Sequence, residues 1–148
     1  MTRALLVAAL ALAGCVDATR CHLPSDWKPC AGSSAELGAS GTPPAIVALS
    51  VPTCAYVDDP EVQGTLHVTD PESDATVVHV TFSQGPRVDE SDIDLPDAGR
   101  MGTEWSGDLQ LRAMNATAME GTLDVRVKVA DLQGNQSVPF CNSLTFLK

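Results

Sequence analysis

No stretch of this 148-residue sequence is long enough to cross a bilayer as a helix. The longest apolar run, Ala4 to Ala13, makes about 15 Å of helix, half of a hydrocarbon core of roughly 30 Å. Basic side chains are scarce as well, with 9 Lys and Arg against 19 Asp and Glu and a formal charge of −10. A chain of that sign repels phosphate backbones and anionic headgroups, so nucleic acid is not an expected partner. Histidine occurs three times, and GxSxG, HExxH, P-loop and GxGxxG patterns are all missing. Little is left for nucleophilic or acid–base chemistry, and the chain is not expected to be an enzyme. The cysteines show neither CxxC spacing nor a neighbouring His pair, which argues against zinc. No segment carries a helical repeat of useful length either.

What is present begins with an export signal. Arg3, the apolar run and the small residue Gly14 before Cys15 form the n-region, h-region and cleavage pattern of a secretory peptide over residues 1–14. The four residues Leu12, Ala13, Gly14 and Cys15 resemble the lipobox of bacterial lipoproteins. That resemblance implies cleavage before Cys15, a diacylglycerol on its thiol, acylation of the new amino group and anchoring in a membrane by two or three chains. In the sorting rule of that family an Asp after the cysteine retains the protein at the inner membrane. Val16 stands there instead, which implies the outer membrane. Removal of residues 1–14 takes away Arg3 and no acid, leaving 8 basic against 19 acidic side chains, a net charge of −11.

With Cys15 assigned to lipid, an even four cysteines remain: Cys21, Cys30, Cys54 and Cys141. In an oxidising compartment they are expected to form two disulfides, for which three connectivities exist. Chain distance favours the local pair Cys21 with Cys30, and Cys54 with Cys141 bracketing the domain. Residues 15–44 read as a lipid-attachment segment, a cysteine-bounded piece containing Trp27 and a flexible linker from Ala31 to Pro44, rich in Gly, Ser, Ala and Pro. Such a tether would hold the domain roughly 30 Å from the membrane surface.

From Ala45 to the end the hydrophobic period is two. Val62, Leu66 and Val68 alternate with polar neighbours; so do Val78, Val80 and Phe82, and most regularly Leu123, Val125, Val127 and Val129. Further strands are expected at Ala45–Val51, Glu104–Ala113 and Ser137–Leu147, where Pro139 suggests a bulge or an edge. Six or seven strands with polar turns predict an all-β chain, a single immunoglobulin-like antiparallel sandwich over residues 45–148. The runs GTLHVTDPESDATVVHVTF and GTLDVRVKVADLQGNQS resemble bacterial immunoglobulin-like, cadherin-like and fibronectin-III-like extracellular modules. The antibody pattern of core cysteines and a strand-C Trp is not followed.

Two acidic groups stand out. Asp70, Glu72 and Asp74 lie between the second and third strands of the sandwich, and Asp131 and Asn135 follow the sixth. In an immunoglobulin topology both loops emerge at one end, so these oxygens can converge on calcium, which takes six to eight oxygen ligands. The competing reading is turn chemistry, with Asp side chains accepting hydrogen bonds from turn amides and Gly134 supplying a positive φ. No other cofactor is indicated. Asp89, Glu90, Asp92, Asp94 and Asp97 mark residues 84–103 as a long mobile loop that either binds a partner or is simply solvated. Asp58, Asp59 and Glu61 flank a turn at the opposite end. His67 and His79 are expected to face solvent on strands of different sheets, and Trp105 to pack in the core with Leu109 and Leu111. The glycosylation-type triplets at Asn115 and Asn135 carry little meaning in a bacterium. The function expected is a lipid-anchored, non-catalytic module that binds a protein or glycan, or a calcium-dependent adhesive variant of it.

Overall fold

The computed structural model describes residues 21, 23–112 and 121–148. The lipobox with Cys15 and the triplet at Asn115 lie outside the described residues.

Eleven strands follow one another among the described residues: β1 (Pro24–Asp26), β2 (Lys28–Pro29), β3 (Ala45–Pro52), β4 (Cys54–Tyr56), β5 (Glu61–Thr69), β6 (Ala75–Gln84), β7 (Arg87–Asp94), β8 (Arg100–Met101), β9 (Glu104–Arg112), β10 (Gly121–Asp131) and β11 (Phe140–Leu147). One sheet has the order β1-β3-β5-β9-β8 and the other β2-β11-β10-β6-β7, with β4 beside β11. Every pairing is antiparallel except that of β4 with β11. The seven long strands thus make an immunoglobulin-like sandwich.

Alternation explains why these residues are strands and why the sheets stack. Val62, Leu66 and Val68 of β5, Leu109 and Leu111 of β9, Val78, Val80 and Phe82 of β6, and Leu123, Val125, Val127 and Val129 of β10 all enter one core. Each such side chain contributes roughly 1.5–3 kcal/mol on burial. Trp105 joins them, 3% exposed, and donates its indole N–H to Pro96 O at 2.8 Å.

Three expectations are corrected here. Residues 24–44 are not a free tether. The N-terminal segment climbs the open side of the sandwich, pairing first with β3 (Pro24↔Pro52) and then with β11 (Pro29↔Phe140). At the crossing between sheets Trp27 inserts into the core, 2% exposed, and its Nε1 donates to Val51 O at 3.2 Å. Residues 31–44 then form a strap across the end of the sandwich, with Glu36 bridged to Gln136 and Ala39 N donating to Gln133 O at 2.9 Å.

The disulfide pairing is also different: Cys21 joins Cys54 and Cys30 joins Cys141, with Cα separations of 4.9 and 5.0 Å. The extended climb is the physical reason. At about 3.3 Å per residue, the nine steps from Cys21 to Cys30 span roughly 30 Å, far beyond the 7 Å or so that a disulfide tolerates. Likewise Cys54 sits opposite Thr145, four residues further along β11 than Cys141.

Finally, residues 84–103 are not one mobile loop. They contain β7, which forms a hairpin with β6 through a two-residue Gly85-Pro86 turn, then a 3-10 turn at Asp97–Gly99 and the short β8. Gly85 has φ +58°, a conformation that favours glycine and suits a tight hairpin turn.

Candidate functional site at the loop end

The strand directions bring the β5–β6 loop (residues 70–74) and the β10–β11 connection (residues 132–139) to the same end, where Leu132 N donates to Asp74 O at 3.2 Å. Asp70 is 2% exposed. Its Oδ2 accepts from Asp74 N at 2.6 Å and Ala75 N at 2.5 Å, and its Oδ1 from Glu72 N at 3.3 Å. One side chain therefore folds the whole turn. Asp131, 6% exposed, repeats the device across the sandwich. Its Oδ1 accepts from Gln133 N and Asn135 N at 2.9 and 2.8 Å, and its Oδ2 from Asn135 Nδ2 at 2.7 Å.

Asn135 is 1% exposed and links this turn to the strap. Its Oδ1 accepts from Gly38 N at 2.7 Å, and its Nδ2 donates to Ser40 O at 2.6 Å. Glu72 acts from the other loop, accepting from Thr42 N at 3.1 Å. Lys128 on β10 completes the fastening by donating to Glu36 and, at 3.1 Å, to Gln136. That contact, chiefly its hydrogen bond and then its charge, holds the Glu36 carboxyl below the usual range.

Asp74 is the exception. Its Oδ1 is buried with no hydrogen-bond partner. Burial first, and then the charges of Asp70 and Asp131, raise its pKa above the ordinary value. Of the five residues expected to converge, Asp70, Asp74, Asp131 and Asn135 meet at this end and Glu72 stands on its rim. Their oxygens mostly accept N–H groups, as turn chemistry requires. Among the described residues no group of three or more His, Cys, Asp or Glu side chains is arranged to hold a metal ion.

The remaining sequence-predicted residues are spread out. Asp89, Glu90, Asp92 and Asp94 lie on β7, and Asp97 stands 3.7 Å from Arg100 in the turn that follows. His67 on β5 and His79 on β6 belong to different sheets; each faces a carboxylate, Glu104 at 3.6 Å and Asp92 at 2.6 Å. Asp59 closes a turn onto Tyr56 O at the opposite end. A groove of about 740 Å³ runs over the outer face of the second sheet, with Thr81 and Ser83 on its floor and Glu90, Arg126 and Lys128 along its walls.

Two fastening residues escaped sequence reasoning. Arg100 donates to Ser73 O at 2.7 Å and Ala75 O at 2.6 Å, tying β8 to the Asp70 turn. Gly38 passes so close to the β10–β11 connection that a Cβ there would meet Gln133 O at 2.2 Å. Neither has a signal in a single sequence, since both act through backbone far along the chain.

No protein-family model matches the sequence, and no curated protein matches it. Among solved structures the chain is similar to the PKD domain of an M14-like peptidase from Thermoplasmatales archaeon SCGC AB-540-F20. The two are 19% identical with a TM-score of 0.47, over 74% of this chain and 100% of that one.

Proposed function

We propose that this chain is a lipoprotein of the cell envelope, anchored to a membrane by lipid on Cys15, whose sandwich serves as a non-catalytic binding or structural module. The observation that carries this reading is the use made of the buried polar groups. Asp70, Asp131 and Asn135 fasten loops and strap, and Ser137 Oγ accepts from Val129 N at 3.0 Å. Groups consumed in this way hold a rigid surface in place and are not poised as acid, base or nucleophile. The two disulfides fit a domain that matures in an oxidising, extracytoplasmic space.

An outer-membrane position, implied by Val16, and a protein or glycan partner engaged through the acidic stretch 84–103 complete the reading. Detergent-phase partitioning of the native protein, with mass analysis of its N-terminal peptide, tests the anchor. Partitioning into detergent with an acylated Cys15 is expected; a water-soluble chain with a free thiol at that position would overturn it. Neutralising the exposed acids of residues 84–103 is expected to weaken partner binding without lowering the melting temperature. A calcium-dependent version of the module is favoured by one observation, the unpartnered Asp74 Oδ1 beside two further carboxylates. It predicts heat in a calorimetric titration with millimolar calcium, and a flat trace removes it.

A further inference from the structure

We propose that the outer edge of β7 docks an extended, basic polypeptide segment, which adds to the second sheet as a further strand. The inference deepens the binding-module reading and rests on it. β7 pairs with β6 along its whole length, from Gln84↔Arg87 to Val77↔Asp94, and is the last strand of its sheet. The two-residue turn sets the parity of this ladder. Residues 87, 89, 91 and 93 direct their N–H and C=O groups at β6, whereas Val88, Glu90, Asp92 and Asp94 direct theirs away. The next rung agrees, because Leu95 N donates to Thr76 O at 2.8 Å. Four amides and four carbonyls therefore face outward in a row, and among the described residues no strand lies against them.

The other outer strands are covered in part: β2 and β4 lie along the two ends of β11, β1 along the end of β3 and β8 along the start of β9, whose remainder has no outer strand among the described residues either. β7 is left bare, and the side chains on it determine what can pair there. Glu90, Asp92 and Asp94 are exposed and sit on the same residues whose amides are open. A strand added at this edge would place its own side chains about 4.5–5.5 Å from them. A second copy of the edge brings like charges face to face, so self-pairing is disfavoured. A segment with Lys or Arg at alternate positions meets opposite charges instead, while its backbone completes the open ladder. Asp92 already holds His79, which leaves Glu90 and Asp94 as the principal contacts. Val88, 62% exposed, offers an apolar neighbour at the turn end.

The test uses the full mature protein in detergent and a labelled nine-residue peptide of alternating lysine and threonine, followed by fluorescence anisotropy and amide hydrogen exchange. Binding is expected, with slowed exchange at Val88, Glu90, Asp92 and Asp94. N-methylation of the peptide amides that would meet β7 should weaken it about tenfold or more, because charge is kept and backbone pairing is lost. Val88→Pro should do the same, since it keeps every acid and removes an N–H that β6 does not use. Should that variant melt early, Glu90→Gln with Asp94→Asn supplies the second measurement, an expected loss of affinity with the edge amides intact. Failure of the lysine peptide to bind, or equal binding by its N-methylated form, would overturn the proposal. An inert edge in a protein that is lipidated and holds a partner elsewhere refutes the edge alone. A free Cys15 thiol refutes the anchored module and leaves the peptide result to stand on its own.

Discussion

Three carboxylates, those of Asp70, Asp74 and Asp131, meet at the loop end, and only Asp70 and Asp131 have donors for both oxygens. Burial and its two acidic neighbours raise the pKa of Asp74 from an ordinary value of 3.8. A carboxyl raised in the folded state favours folding below its unfolded pKa and loses that contribution as pH rises through the folded value. Ionisation of Asp74 therefore weighs against the fold. Asp74→Asn is expected to raise the melting temperature by about 1–4 °C at neutral pH and to have no effect near pH 3, read by thermal unfolding at both. Glu36 behaves in the opposite sense, its Lys128 contact favouring the fold in full above the ordinary value of 4.5 and losing that contribution as pH falls through the depressed one. Gly38 tests the strap by shape alone. Gly38→Ala drives a Cβ against Gln133 O, Gly134 C and Asn135 N at 2.2, 2.5 and 2.6 Å. None of these is a flexible side-chain end, so a loss of roughly 1–3 kcal/mol is expected in denaturant unfolding, with faster exchange at Glu36 and Ala39.

At the scale of elements, the N-terminal segment is a structural part of the sandwich. Trp27→Ala is expected to cost about 3–5 kcal/mol, as for other buried aromatics. A dispensable linker would give almost none, so equilibrium unfolding separates the two. Replacing Cys30 and Cys141 together by Ser removes a bridge between residues 111 apart. In the chain-entropy model that bridge contributes roughly 5 kcal/mol, so the melting temperature should fall by about 10–20 °C. Neither effect could be foreseen from periodicity. β5, β6 and β10 are legible in the sequence because each repeats large apolar residues at alternate positions over 9, 10 and 11 residues. β1 and β2 have three and two residues and owe their place to Trp27 and the disulfides, not to a pattern. β7 was hidden for a related reason: its inward residues are Asp89, Ser91 and Ile93, since an edge strand buries little. The meeting of the two acidic loops followed from strand order. The fastening of Asn135 did not, because Gly38 N, which donates to its Oδ1, and Ser40 O, which accepts from its Nδ2, lie on a strap some 95 residues away along the chain.

For the molecule as a whole, strand direction and the Cys21–Cys54 bridge together set which end would face the proposed lipid anchor. β5 and β10 run away from the end that holds Cys54, β4 and Lys148, and β6 and β11 return to it. Cys21 is bound at that end, so the lipid-bearing Cys15 of the proposed lipoprotein lies only six residues from a fixed point on the sandwich. Fully extended, six residues reach about 20 Å. In that proposal the sandwich would be held close to the bilayer with its Asp58–Asp59 turn and the Gly85-Pro86 hairpin inward, and the strapped loop end with Asp70 and Asp131 directed out. β7 would then stand along the side of the domain, its open edge running from membrane to solvent. Paramagnetic lipid headgroups mixed into the vesicles should broaden the amide signals of Asp59 and Gly85 and spare those of Glu72 and Gln133. Equal broadening at both ends would show a domain that tumbles freely on its anchor, and broadening of the loop end alone would reverse the orientation.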